Sequence, residues 1–324
     1  MGYFNSVWTK HMQKLAIILL GALTLVGCKH LHRITKHVQE NTPVPIEHPA
    51  LHNFHRLDVQ GHLNVNLHSG ATHPHISLHG DARDKAHVRW RQVDDTVFIF
   101  VDKGYRPHDP VRLDIYTHHF NALNYTGQGE INGQHLQAPA FDLHLNNTGK
   151  TTLEGRIDLR EMIIDGNSIV KIHGIQSRFM RVKMAGRATM ELVGMANVAS
   201  IEMSGHSWLS MYWVKSPHLR IRNTDQSYVQ LAGYVQLLNI ELKEQAHFNG
   251  EHLRAVRSFV KTFDHSRADI AVIKSDHALA NDSSNIYYYE LPVMKADFMG
   301  SDGSILDMRN FSSPFIKEPT PYNR

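Results

Sequence analysis

Cysteine is almost absent from this 324-residue sequence: Cys28 is the only one, so no disulfide can form within the chain. Charge of one sign is equally scarce, with 34 Lys and Arg against 31 Asp and Glu. The first 27 residues hold Lys10, Lys14 and no acid, which leaves the rest close to neutral and removes the electrostatic case for nucleic acid as a partner. No apolar run is long enough to span a bilayer, for which roughly 20 residues are needed; the longest, Leu15 to Leu25, falls short. A nucleophile elbow, a phosphate-binding glycine loop and a zinc-protease motif are all missing. What remains is a chain with 42% hydrophobic residues, too apolar for wholesale disorder and large enough for one large domain or two ordinary ones.

The N-terminus has its own logic. A basic stretch, an apolar core of signal-peptide length and the small-residue sequence Leu25-Val26-Gly27-Cys28 follow in order. That last segment resembles the bacterial lipobox, which implies cleavage before Cys28 and lipidation of its thiol. Residues 1–27 are then the signal peptide, and disulfides and thiol catalysis are both excluded from the mature protein. Lys29 in place of Asp after the cysteine implies export to the outer membrane. Residues 28–50 carry Pro43, Pro45 and Pro49 without sustained periodicity, which predicts an extended tether.

The body of the chain is governed by a repeat. Positions 19 or 20 residues apart on either side of Val182 read Leu123, Leu143, Met162, Val182, Ile201, Ile221, Ile240, Phe259, Leu279 and Phe298, all apolar. Two residues on, Tyr125, Leu145, Ile164, Met184, Met203 and Leu242 fall on the same face of a strand, because alternate side chains point the same way. Asn223, Lys261, Asn281 and Gly300 interrupt this second column, so the C-terminal rungs are expected to be wider or bulged. A third column, Gly127, Asn147, Gly166, Gly186, Gly205, Asp225 and Glu244, begins with residues that tolerate positive φ and marks a corner.

A unit of this length cannot bury its apolar face alone and must stack on its neighbours. The fold class predicted is all-β: a right-handed parallel β-helix, or β-solenoid, of about ten rungs. Leucine-rich repeats lack their consensus here, and helical repeats fail because the apolar spacing is two rather than three and four. Residues 51–308 form this domain, of which 51–117 are β-rich but less regular and read as opening rungs or a cap, with a hairpin closing near Asp94 and Asp95. Regular repeats occupy 118–308, and 309–324, with Pro314, Pro319 and Pro321, form a tail or cap.

Three segments, FHRLDVQGHLNVNL from Phe54, VRLDIY from Val111 and LNYTGQGEING from Leu123, carry a resemblance of pattern. The chain resembles bacterial lipoproteins with the putative autotransporter adhesin, head GIN domain, over about residues 52–308. The resemblance implies a right-handed β-helical fold at the envelope and a binding role; it supplies no catalytic residues.

Three groups of side chains are candidates for chemistry. Histidine is abundant, 25 in all with 15 between His30 and His119; His73 and His75 with His68 or His79 have the strand spacing of a metal pair. Without a carboxylate or cysteine at the same spacing, polar surface histidines are the favoured reading and no metal is expected. Asp225 and Glu244, in one column on adjacent rungs, are expected about 5 Å from each other, near the separation of a retaining glycosidase pair. Solvated corner residues are favoured over a catalytic pair. Trp208, Tyr212, Tyr228 and His247 share an outward face, and such an exposed aromatic row can stack on sugar rings or join a protein interface, against an equal case for a stabilising ladder.

The expected function is therefore a lipid-anchored, non-enzymatic envelope module for binding or adhesion, without cofactors. Its partners are the membrane, through Cys28, and a glycan or an envelope protein; trimers or other homo-oligomers stay open. A polysaccharide-active hydrolase or lyase and an envelope assembly factor are the alternatives.

Overall fold

The computed structural model describes residues 50–290 and 295–308, so the lipobox, most of the tether and the tail from 309 lie outside the described residues. Eight long strands carry the regular part: β8 (Ile131–Asn147), β9 (Lys150–Gly166), β10 (Ile169–Met184), β11 (Thr189–Met203), β12 (Trp208–Asn223), β13 (Tyr228–Leu242), β14 (His247–Thr262) and β15 (Arg267–Asn281). Each pairs in parallel with the next, and register shifts inside each strand bend it into successive flat faces. The result is a β-solenoid of about nine turns. That is one fewer than the apolar spacing gives, since the position at Phe298 falls on a short terminal strand rather than on a full rung.

The leading column is the spine of the core. Leu123, Leu143, Met162, Val182, Ile201, Ile221 and Ile240 pair in order from rung to rung. All seven are buried, and each aliphatic side chain so placed contributes about 2 kcal/mol. A parallel column follows in β10 to β13, with Val170, Met190, Leu209 and Val229 aligned.

Beyond Ile240 the register departs from the sequence spacing. Ile240 pairs with Val260, and Val260 with Ala278, so Phe259 and Leu279 leave the inward column. The cause is local: Gln230 and Ala232 face Asn249 and His252, so β14 holds one residue more than β13 at its first bend, around Gly250 and Glu251. An extra residue in a strand of period two turns every later side chain to the other face. Thr262 and Ala280 accordingly point inward in place of Lys261 and Asn281, and Phe259 is exposed. Phe298 stays in register with Ala278 but is exposed on the last turn.

The first turn is built out of sequence order. β1 (Arg56–Gly61) lies between β5 (Thr96–Val101) and β7 (Ala122–Gly127), and β2 (Leu63–His68) lies between β6 (Val111–Tyr116) and β8. The hairpin closed at Asp94 joins β5 to β4 (Val88–Val93), and β3 (His75–His79) pairs antiparallel with β6. These later strands cover the edge that the first rung would otherwise expose. Helix α1 (Ala82–Lys85) ties the connecting loops down: the buried Asp84 carboxylate accepts from the Tyr105 hydroxyl at 2.5 Å and from the His108 N–H at 3.3 Å. The Tyr105 hydrogen bond leads in holding the Asp84 carboxyl at about 2. At the other end, β16 (Asn285–Glu290) pairs with β15 and β18 (Ser304–Asp307), and β17 (Lys295–Ser301) with β15.

One corner of each turn is a tight bend. Gly166, Gly186 and Gly205 have φ of 91°, 76° and 71°, and Asp225, Glu244, Asp264 and Asp282 continue the left-handed column at 58°, 62°, 59° and 51°. Asn147 has no positive φ and is buried instead; its side chain donates to the Gly129 carbonyl at 2.9 Å and accepts from the Gly149 N–H at 3.0 Å. Two residues past each bend a small residue is buried, and the hydroxyls of Ser207, Ser227 and Ser266 donate to the carbonyl three residues back at 2.7–2.8 Å.

Candidate functional site

The tight bend also decides what Asp225 and Glu244 do. The Asp225 carboxylate accepts from the Gly205 N–H at 2.7 Å, Glu244 from the Asp225 N–H at 2.6 Å, and Asp264 from the Glu244 N–H at 2.9 Å. Each acid thus caps the corner of the rung before it. The Gly205 N–H is the main reason that the Asp225 carboxyl lies below the ordinary carboxylate range. Protonating a glycosidic oxygen calls for an acid raised by its surroundings, and this one is lowered.

The histidines of the cap are engaged with neighbours. His68 and His75 stack on Tyr116, with centroids at 4.4 and 4.3 Å, and His79 reaches Asp114 at 2.9 Å. His75 Nδ1 lies 3.1 Å from the carbonyl of His73. Among the described residues no group of three or more His, Cys, Asp or Glu is arranged to hold a metal ion.

Three of the four outward residues singled out by parity fall on one ladder. Trp208, Tyr228 and His247 occupy consecutive rungs in register, followed by Arg267. The Trp208 and Tyr228 rings are parallel within 5° at 6.3 Å, and His247 meets Tyr228 edge-on at 4.8 Å. His247 Nε2 lies 2.6 Å from a carboxylate oxygen of the buried Asp269, which Arg267 grips at 2.8 Å. Tyr212 lies four residues beyond Trp208 on β12, with the buried Ser210 between them. All four candidates are partly covered rather than open.

The most exposed aromatic side chain among the described residues is one that parity did not single out. Trp213 is 62% exposed and adopts φ of 73°. By sequence spacing it falls among Gly155, Gly174, Gly194 and Gly233, which sit where the backbone bends between two faces; in the ladder itself Gly194 pairs with Ile175 and Gly233 with Val214, so Trp213 is the extra residue of the bend in β12. An added Cβ at Gly194 or Gly233 would meet the carbonyl oxygen of the preceding rung at 2.3 or 2.0 Å. A bulky residue in the left-handed region costs on the order of 1–3 kcal/mol. The spacing of 19 and 20 that places a tryptophan amid four glycines is visible in the sequence once this column is aligned. On the flanking rungs Met195 and Tyr234 are also exposed, at 58% and 41%, so an apolar strip runs along this corner.

Next to the strip a groove of about 1050 Å³ crosses β8, β9, β10 and β11. The exposed Pro139 lies in its floor, above the fully buried Ile157 and Ile175; Met195 closes it toward Trp213, and His118 and His119 close the other end. His119 stacks on His55 at 3.9 Å, and burial holds its imidazole below the ordinary histidine value. Arg178 and Asp158 on the wall are joined at 3.1 Å.

Comparison with known proteins follows this geometry. No curated protein matches the sequence significantly. Among solved structures, one from Parabacteroides distasonis described as a putative lipid binding protein has 13% identity and a TM-score of 0.46, covering 80% of this chain and 94% of its own. One from Parabacteroides merdae described as a putative adhesin also has 13% identity and a TM-score of 0.46, covering 80% and 93%. Likeness at this level bears on neither ligand nor activity. The family model described as "Putative auto-transporter adhesin, head GIN domain" matches residues 53–207, from the interleaved first turn to the tight bend ahead of β12. Over that span the chain is similar to the GIN-domain adhesin-like family.

Proposed function

We propose that this protein is a non-catalytic binding module of the cell envelope, held to the outer membrane by lipid on Cys28 and presenting the Met195–Trp213–Tyr234 corner to a surface ligand. Similarity to an adhesin-like family over residues 53–207 supports a binding role at the envelope. The observation that carries the reading is Trp213: an indole held open to solvent at φ of 73°, in the left-handed region that bulky residues rarely take. Strain of this kind persists where a site needs the side chain, and a flat amphipathic ring suits stacking on a sugar or on a partner's apolar surface. The solenoid mounts this side chain at a bend of β12 whose flanking residues are paired, Tyr212 and Val214 with β11 and Val214 with Gly233 of β13.

Incubating the purified chain with a glycan array tests the reading. Retention of intact glycans is the expected result; release of shortened products would replace the module with an enzyme. Proteolysis of intact cells tests the location, with cleavage expected before the envelope is opened and resistance pointing to a periplasmic role.

A further inference from the structure

We infer that the groove across β8 to β11 takes a short acidic oligosaccharide, with Arg156 as the residue that selects its charge; this deepens the binding reading above and rests on it. The dimensions come first. Four rungs spaced about 4.8 Å apart give a trough about 14 Å long, open along one side, which matches an extended chain of about three sugar units better than a compact cofactor. Its volume of about 1050 Å³ is at the upper end for small-ligand sites.

The lining then narrows the chemistry. The exposed Pro139 in the groove and the Met195 and Trp213 end suit the carbon faces of sugar rings. The register places Trp213 beside Met195, because Val193 pairs with Tyr212 and Ala196 with Val214. Gln137 and Gln176, both exposed on the walls, offer amide donors and acceptors for hydroxyl groups.

Charge decides between a neutral and an acidic chain. Of the charged side chains lining the groove, Asp158 is occupied: its carboxylate accepts from Arg178 Nε at 3.1 Å and from the Arg178 N–H at 3.3 Å. His119 is kept toward its neutral form by burial, and His118 meets it edge-on at 5.4 Å. Arg156 has no ion pair with a described residue, so its guanidinium is the uncompensated charge of the groove. A planar fork of donors beside sugar-sized apolar floor favours a carboxylate carried on the ring.

The test is calorimetric titration of the purified full chain, held in detergent, with trigalacturonic acid and with the neutral galactose trisaccharide of the same linkage. The acid should bind about tenfold tighter than the neutral sugar, and Arg156→Gln should bring the two affinities together without lowering the melting temperature. Equal affinity for both sugars, or an acid preference that survives Arg156→Gln, overturns the assignment of charge while leaving the binding reading in place. If neither sugar binds, the groove assignment falls, and the glycan array then decides the wider reading by itself.

Discussion

The main-chain N–H of Gly205 donates to the Asp225 carboxylate one rung above it, at 2.7 Å. This bond joins two corners whose side chains differ, and it shows how the solenoid replaces a turn glycine by an acid: the left-handed backbone is retained, at φ of 71° and 58°, and its strain is offset by a charge-assisted hydrogen bond to the neighbour.

Asp225→Ala should therefore destabilise the protein by about 1–2 kcal/mol, since it removes the acceptor but keeps a Cβ in the left-handed region. Asp225→Gly, which relieves the backbone, should cost less. The lowered pKa fixes the sign with pH. Asp225 contributes its stabilisation above the unfolded carboxyl value near 3.9, and loses it as the pH falls through the lower folded value. Urea melts of both variants from neutral to acid pH check this, and an alanine variant as stable as the wild type would refute it.

Asn223 is an interior amide in a column of apolar residues. It pairs between Met203 and Leu242, is 1% exposed, and neither side-chain polar atom has a hydrogen-bond partner among the described residues. An unsatisfied buried amide costs about 1–3 kcal/mol, so Asn223→Leu should raise the thermal midpoint by several degrees. A lower midpoint would mean that the amide serves an interaction inside the coil.

Asp276 poses the opposite problem to Asp225. It is fully buried between the hydroxyls of Ser258 and Tyr288, both of which donate to it. Burial is the leading cause of its raised pKa. The folded protein thus holds this proton more tightly than the unfolded chain does; the contribution is full below the unfolded value and is lost as the pH rises through the folded one. Asp276→Asn cannot ionise. It should melt above the wild type at neutral pH, and the gap should close on acidification; a gap that widens toward acid pH would contradict this assignment.

The seven buried residues from Leu123 to Ile240 were legible because one physical constraint, an inward face recurring once per turn, acts on each in the same way. Legibility ends where that constraint is met by another route. The residue gained near Gly250 turns Phe259 outward without disturbing the apolar count, so spacing alone still places Phe259 in the core. The first turn was hidden for a different reason: Leu57 pairs with both Val97 and Leu123, and pairing across 40 residues leaves no period to read. The aromatic row of Trp208, Tyr228 and His247 followed from parity. Trp213 did not, because its position is defined by backbone conformation at a bend rather than by alternation along a strand.

Replacing Trp213 by glycine is the most direct test of the proposal that this corner trades stability for recognition. At φ of 73° Trp213 sits in the left-handed region that glycine takes without strain, so Trp213→Gly should melt above the wild type, by about 1 kcal/mol, while losing binding to the glycans that the wild type retains. A variant that melts lower and still binds would contradict the account.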